Sequence, residues 1–316
     1  MYANKKEPTV ITNTELFGIL LLSLLLMVLI FPKQSIEKAI SDEKSNYDLT
    51  LIYLESIARA YPDNSENWLR LLKAELKMGK TKEAEQILQK MAKMPTVKQI
   101  YLDILSFELI RTRYQKSTTK EEKKALFQLL KERLEKFAES NDPTLWQIAI
   151  KEAPQLSLDS IAYEAFAKRV SHTTLCSNEE LKRFFYLGQK VHKEEKTLKI
   201  LQNYLAQTPQ KEIYELLKNH FLAHQAYNQA AEIESDCYRN LHQPKCLLDA
   251  ATYFFIAKED QKSIALLHKY QDNYLDDADI SQKIIKLYLA YQKLHEAHDY
   301  TLKVLHRQKL LPERRK

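Results

Sequence analysis

Residues 65–95 read SENWLRLLKAELKMGKTKEAEQILQKMAKMP, and this stretch decides the fold. Trp68 and Leu71 lie about one helical turn apart and share a face. Gly79 supplies the left-handed turn that ends a helix. A second apolar stripe follows with Ala84 and Leu88, and Pro95 stops it because proline cannot continue the hydrogen-bond ladder. Ala84 is small, as a residue must be where two helices cross closely. The stretch is one helix–turn–helix unit.

The small position returns along the chain. Thr197, Ala230, Ser263 and Ala297 recur at near-constant intervals of 33, 33 and 34, and Leu201, Leu267 and Leu302 follow three of them at or near the fourth residue. A period near 34 belongs to paired-helix repeats, whose units bury their apolar faces only by stacking on neighbours. Phe221, Phe254 and Tyr288 keep the same period on the first helices. Upstream, Thr50 precedes Ala84 by one such interval, so residues 48–62 read as the second helix of an earlier unit. The middle departs from the period: 120–140 is one long charged helical pattern, and Trp146 with Ala162 fits a degenerate unit. The expected fold is all-α, an α-solenoid of seven or eight helix pairs. Amino-terminal repeats occupy 32–95, degenerate or enlarged pairs 96–177, carboxy-terminal repeats 178–310 and a basic tail 311–316.

Residues 16–31 are apolar apart from Gly18 and Ser23, and Pro32 ends the run. Sixteen helical residues at roughly 1.5 Å each span about 24 Å, slightly short of a bilayer core of about 30 Å. The uncharged residues 8–14 lengthen it if Glu15 snorkels to the interface. No small-x-small cleavage site follows Phe31, which favours an uncleaved transmembrane anchor behind a short tail, 1–15, over a signal peptide, and a core helix of a soluble protein is the third reading. The amino terminus, Lys5 and Lys6 balance Lys33, Lys38 and Lys44, so flanking charge gives no orientation. A short tail kept in the cytoplasm puts the repeats across the membrane.

Only 3 glycines occur in 316 residues, against a usual share of about 7%, which disfavours Rossmann sheets and phosphate loops. Forty-eight basic and 42 acidic residues give a net charge of +6, spread along the chain. The one basic cluster, Arg307, Lys309, Arg314, Arg315 and Lys316, reads as a solvated tail, so nucleic acid is not an expected partner. Cys176, Cys237 and Cys246 are odd in number, so no complete disulfide framework exists. Cys237 and Cys246, close in sequence across a repeat boundary, are either unpaired small hydrophobes or, in an oxidising compartment, a bridge. His220 and His224 share a helix face without a third ligand, and His295-Glu296-Ala297-His298 lacks the zincin spacing. Without a serine elbow, phosphate loop or clustered metal ligands, no enzyme activity, cofactor or metal is expected.

Trp68-x2-Leu71, Ala84-x3-Leu88 and Pro95 resemble the W-x2-L…A-x3-F…P pattern of the tetratricopeptide repeat family. The resemblance implies a concave partner-binding face built from the first helix of each pair. It would carry Glu179, Lys182, Tyr186, Gln189 and Lys190, then Glu212, Glu215, Asn219 and Leu222. The next pairs would add Lys245, Leu248, Thr252 and Phe255, then Asp279, Gln282 and Lys286. The candidate partner-binding residues are Lys182, Tyr186, Lys190, Asn219, Thr252, Phe255 and Lys286. Phe255 leads, because consecutive residues in Tyr253-Phe254-Phe255 point about 100° apart and cannot all enter the core.

The apolar run, Phe31-Pro32-Lys33, residues 47–55 and Tyr61-Pro62-Asp63-Asn64 also resemble the amino-terminal part of PelB-type proteins of Pel exopolysaccharide export. That resemblance implies an inner-membrane, single-pass scaffold with its repeats in the periplasm. There it would recruit a polysaccharide deacetylase and guide a glycan polymer to an outer-membrane pore. PelB-type proteins continue into a β-barrel, whereas this sequence reaches Lys316 without barrel-like strands, so the expected pore is a separate polypeptide. The competing expectation is an envelope chaperone or assembly factor that binds apolar client segments.

Overall fold

The structure, a computed structural model, describes residues 47–310 together with Phe17, Leu21 and Leu22. The rest of the expected anchor 16–31, and the tails 1–15 and 311–316, lie outside the described residues. Among the described residues, no helix is long and apolar enough to cross a membrane.

Every regular element among the described residues is helical. The chain forms α1 (Tyr47–Ala60), α2 (Ser65–Met78), α3 (Thr81–Met91), α4 (Gln99–Lys116) and α5 (Lys120–Glu139). It continues with α6 (Pro143–Glu152), α7 (Asp159–His172), α8 (Asn178–Lys190), α9 (Glu194–Gln207) and α10 (Lys211–Ala223). The last five are α11 (Tyr227–Leu241), α12 (Pro244–Ile256), α13 (Asp260–Tyr270), α14 (Ala278–Ala290) and α15 (Leu294–Arg307). The chain divides within α5 into two compact units, 1–130 and 131–316. In the first unit α2 packs on α1 and α3, and also on α4. In the second, successive helices from α6 to α13 pack together, as do α14 and α15, the helical turn 271–274 packs on both α13 and α14, and α7 reaches α9, α8 reaches α10, and α12 reaches α14. Packing on the next neighbour and the next but one fits a helical-repeat solenoid.

Six pairs share one ruler. Their helices begin at 65 and 81, 143 and 159, 178 and 194, 211 and 227, 244 and 260, and 278 and 294, the same offset every time. Between the first two of these pairs lie the longer helices α4 and α5, of 18 and 20 residues. At the fifteenth residue of every one of the six pairs the backbone is left-handed: Gly79, Ser157, His192, Gln225, Lys258 and Gln292 have φ between 56° and 68°. The next N–H then donates back to the eleventh carbonyl. These bonds run from Lys80 to Glu75, Leu158 to Ala153, Lys193 to Gly188, Ala226 to Phe221, Glu259 to Phe254 and Lys293 to Tyr288, all at 2.8–2.9 Å. This six-to-one bond closes the first helix in a Schellman motif. Glycine is therefore the exception here, present only in the pair at 65–91.

The twentieth residue of each pair, Ala84, Ala162, Thr197, Ala230, Ser263 and Ala297, is buried at the helix crossing. Gly188 shows how tight that crossing is: a Cβ on it would lie 2.1 Å from Thr197 Oγ1 and 2.9 Å from Thr197 Cβ. Trp68 and Trp146, both at the fourth position, are buried, with Leu71 beside Trp68. Each donates its indole N–H to a carbonyl just before its helix, Pro62 at 2.9 Å and Ser140 at 2.7 Å. Leu88 is half-buried. Leu302 differs from expectation: it is 37% exposed, because α15 turns Ala297, Tyr300 and Val304 inward.

Polar links also run from pair to pair at close to the period. Thr197 donates to the Tyr163 hydroxyl at 3.1 Å, and Asn178 to Glu212 at 3.0 Å. Lys293 pairs with Asp260 at 2.6 Å, while Arg307 ties α15 to the connection before its own pair at Asp276, 3.0 Å away.

Candidate functional site

The expected partner-binding residues fall into three groups. Tyr186, Asn219 and Lys286 are exposed, and with Thr252 they occupy the ninth position of α8, α10, α14 and α12. Thr252 is half-buried, and its hydroxyl donates to the Leu248 carbonyl of its own helix at 2.7 Å. Phe255 is a correction: it is 3% exposed and stacks on Tyr291 with ring centroids 4.4 Å apart. The 100° argument judges α12 alone, whereas the residue following α14 covers this face.

Among the described residues, one concavity gathers several of these side chains. Tyr186 and Lys190 line a depression of about 280 Å³ with Arg183, Asp159, Phe166 and Ile150. Tyr186 is 57% exposed. Lys190 pairs with Asp159 at 2.7 Å across the rim. Arg183 is exposed and Lys182 half-buried on the same helix. An aromatic ring flanked by cations suits a polar or anionic partner surface.

A second cluster, which the sequence motifs do not mark, lies in the core of the pair α10–α11. Glu234 follows Ala230 by four positions, where the other pairs hold Leu88, Phe166, Leu201, Leu267 and Thr301. Lys218 stands at the eighth position, where they hold Leu72, Ile150, Phe185, Ala251 and Ile285. Two core positions have thus become charged in one pair. Lys218 Nζ lies 2.9 Å from Glu234 Oε1 and 3.6 Å from Asp249 Oδ2, with side chains 10% and 3% exposed for Lys218 and Glu234. Beside them, Cys237 and Cys246 are joined by a disulfide, their Cα atoms 5.9 Å apart. Cys176 is buried and stands outside the bridge.

Burial pushes the Glu234 carboxyl above its ordinary value, against the hydrogen bond and charge of Lys218. Burial works against the Lys218 ammonium too, but Glu234 and Asp249 hold it above its ordinary value. A glutamate oxygen and both sulfurs lie within 4.8 Å of one another, but bridged sulfurs are not thiolates and offer a metal no ligand. The Lys218 ammonium already supplies the cation of this cluster, which disfavours a divalent ion beside it. Aligning the repeats by the small position is the signal that finds this cluster, since it exposes a glutamate in a mostly apolar column.

The His220 and His224 rings lie 4.5 Å apart, and each has a partner of its own. His224 Nδ1 bonds the His220 carbonyl at 2.9 Å, and His220 Nε2 faces Glu194 at 3.3 Å. No family model matches the chain, and no curated protein matches it.

Proposed function

We propose that this chain is a non-catalytic scaffold that binds a protein partner along the first helices of its carboxy-terminal pairs. The observation that carries this reading is the common repeat position of Tyr186, Asn219 and Lys286, exposed on α8, α10 and α14. Repetition of exposed side chains at one position is how stacked helix pairs build an extended contact surface. The resemblance of residues 65–95 to tetratricopeptide repeats supports the same reading.

A photocrosslinking residue placed at 186, 219 or 286 tests it, with controls at the exposed second-helix residues Glu195, Gln229 and His298. The scaffold reading expects one discrete adduct from the first-helix sites. Equal labelling from both sets would sink it. A smear of many adducts would favour the chaperone reading, which the exposed Ile256 and Leu289, near the ends of α12 and α14, also support.

The finer proposal is a single-pass inner-membrane protein with periplasmic repeats that serves exopolysaccharide modification and export. Its partners would be a polysaccharide deacetylase, the glycan polymer and a separate outer-membrane pore. It rests on the apolar run 16–31 and the PelB-type resemblance. Protease treatment of a tag after Lys316 tests the topology. Digestion once the outer membrane is opened supports it, and protection until the inner membrane is lysed refutes it.

A further inference from the structure

We propose that the Cys237–Cys246 disulfide is a reversible thiol–disulfide switch across a repeat junction, with Glu234 as the positioning residue that favours its reduced form. This goes beyond the scaffold reading and does not depend on it.

Three observations converge. Cys237 lies in the last turns of α11 and Cys246 is the third residue of α12, so the bond ties the end of one pair to the start of the next. The buried Glu234 carboxylate lies within 4.8 Å of both sulfurs. The Lys218–Glu234 pair occupies two positions that are uncharged in the other five pairs. A charged pair in a core is rarely kept for stability, since well-packed apolar residues do as well or better. Here it has a use. A disulfide offers Glu234 no proton, whereas either thiol can donate an S–H hydrogen bond to the carboxylate. Lys218, at 2.9 Å, opposes the effect of burial on that carboxyl and favours its charged, accepting form.

The chemistry requires an external thiol as reductant. Its thiolate attacks one sulfur, the Cys237–Cys246 bond breaks, and the departing thiolate takes up the proton released by the reductant. A second reductant thiol attacks the mixed disulfide on the reductant's sulfur. The products are two protein thiols and one oxidised reductant disulfide, a two-electron exchange. The space over the bridge, lined in part by Lys211, Glu215, Gln243, Lys245 and Asp249, is only about 10 Å³ and both cysteines are buried, so a reductant thiol reaches the sulfurs when this junction opens.

The test equilibrates the full chain in glutathione buffers of graded ratio and traps free thiols by alkylation, with hydrogen exchange followed on 211–256. Wild-type protein, Glu234→Gln and the double variant Lys218→Leu/Glu234→Leu are compared. The double variant restores leucine, the residue of Leu72 and Leu201, so it keeps a packed core if Glu234→Gln fails to fold. Loss of one or two S–H hydrogen bonds predicts a shift of about tenfold toward the disulfide in the double variant, and a smaller one in Glu234→Gln, whose amide oxygen still accepts. Wild-type protein should keep exchange protection when reduced. A wild-type and double-variant equilibrium within about twofold of each other, or unfolding of 211–256 on reduction, overturns the proposal.

Discussion

His192 and Gln225, one repeat apart, hold the same left-handed backbone at φ 56°, each closing a first helix. That conformation costs a residue with a Cβ about 1–2 kcal/mol. Glycine avoids the cost but loses about 0.4–1 kcal/mol through a freer unfolded chain. Gln225→Gly and Gln292→Gly should therefore each stabilise by about 0.5 kcal/mol. Gly79→Ala should destabilise by about 1 kcal/mol, because the Lys116 side chain over it can move aside. Thermal melts of the three variants check this, and a stabilised Gly79→Ala would contradict it.

Gly188→Ala is a different case, because its new methyl meets Thr197 rather than a flexible tip. Overpacking of this kind costs about 1–3 kcal/mol. Thr197→Ala in the same chain should recover part of that loss, although it also forfeits the bond to the Tyr163 hydroxyl. A double-mutant cycle by urea titration should show coupling of more than about 0.5 kcal/mol.

Phe255→Ala should cost about 3–5 kcal/mol, as expected for a buried aromatic, and should leave partner affinity of the remaining folded protein unchanged. Tyr186→Ala should do the reverse, sparing the melting temperature and weakening partner capture. Comparing folding and crosslinking yields for the two variants separates core from surface.

Glu234→Leu alone should cost about 3–5 kcal/mol by leaving Lys218 buried opposite Asp249 only. The Lys218→Leu/Glu234→Leu double variant should equal wild type or exceed it by about 1–4 kcal/mol. Chemical denaturation under oxidising conditions gives both values.

His220 gives the pH dependence. Burial lowers its imidazole below the ordinary value, and His224 adds to this against Glu194. The unfolded chain therefore binds a proton at a pH where the folded chain does not, and stability rises with pH in that window. Stability should fall as pH drops below about 6.5, and His220→Gln should flatten this part of the profile. Urea midpoints at neutral and mildly acidic pH measure it.

The repeat is legible in the sequence because its punctuation is local. Trp68, Ala84 and the return of the small position each reflect a contact inside one pair. The left-handed turns are legible only at Gly79, since Ser157, His192, Gln225, Lys258 and Gln292 carry no sequence mark of positive φ. Phe255 escapes a reading of its own helix because Tyr291, in the next pair, covers it. Glu234 escapes it too, because the pattern runs through Ala230 and the column four positions on shows only when all six pairs are aligned. What a side chain meets in the next pair cannot be read from its own helix.

The constant offset between paired helix starts sets where the chain tolerates changes of length. One residue added or lost between the start of a first helix and the start of its second turns everything after it by about 100° on the helix axis. The connections between pairs carry no such ruler, and vary from the short link 242–243 to the long one at 271–277. Insertions should therefore survive between pairs and fail within them. A block such as 178–210, one full period that leaves the bridge intact, is a cassette: copied once more into the chain, it would lengthen the array by a single step without rewriting either junction.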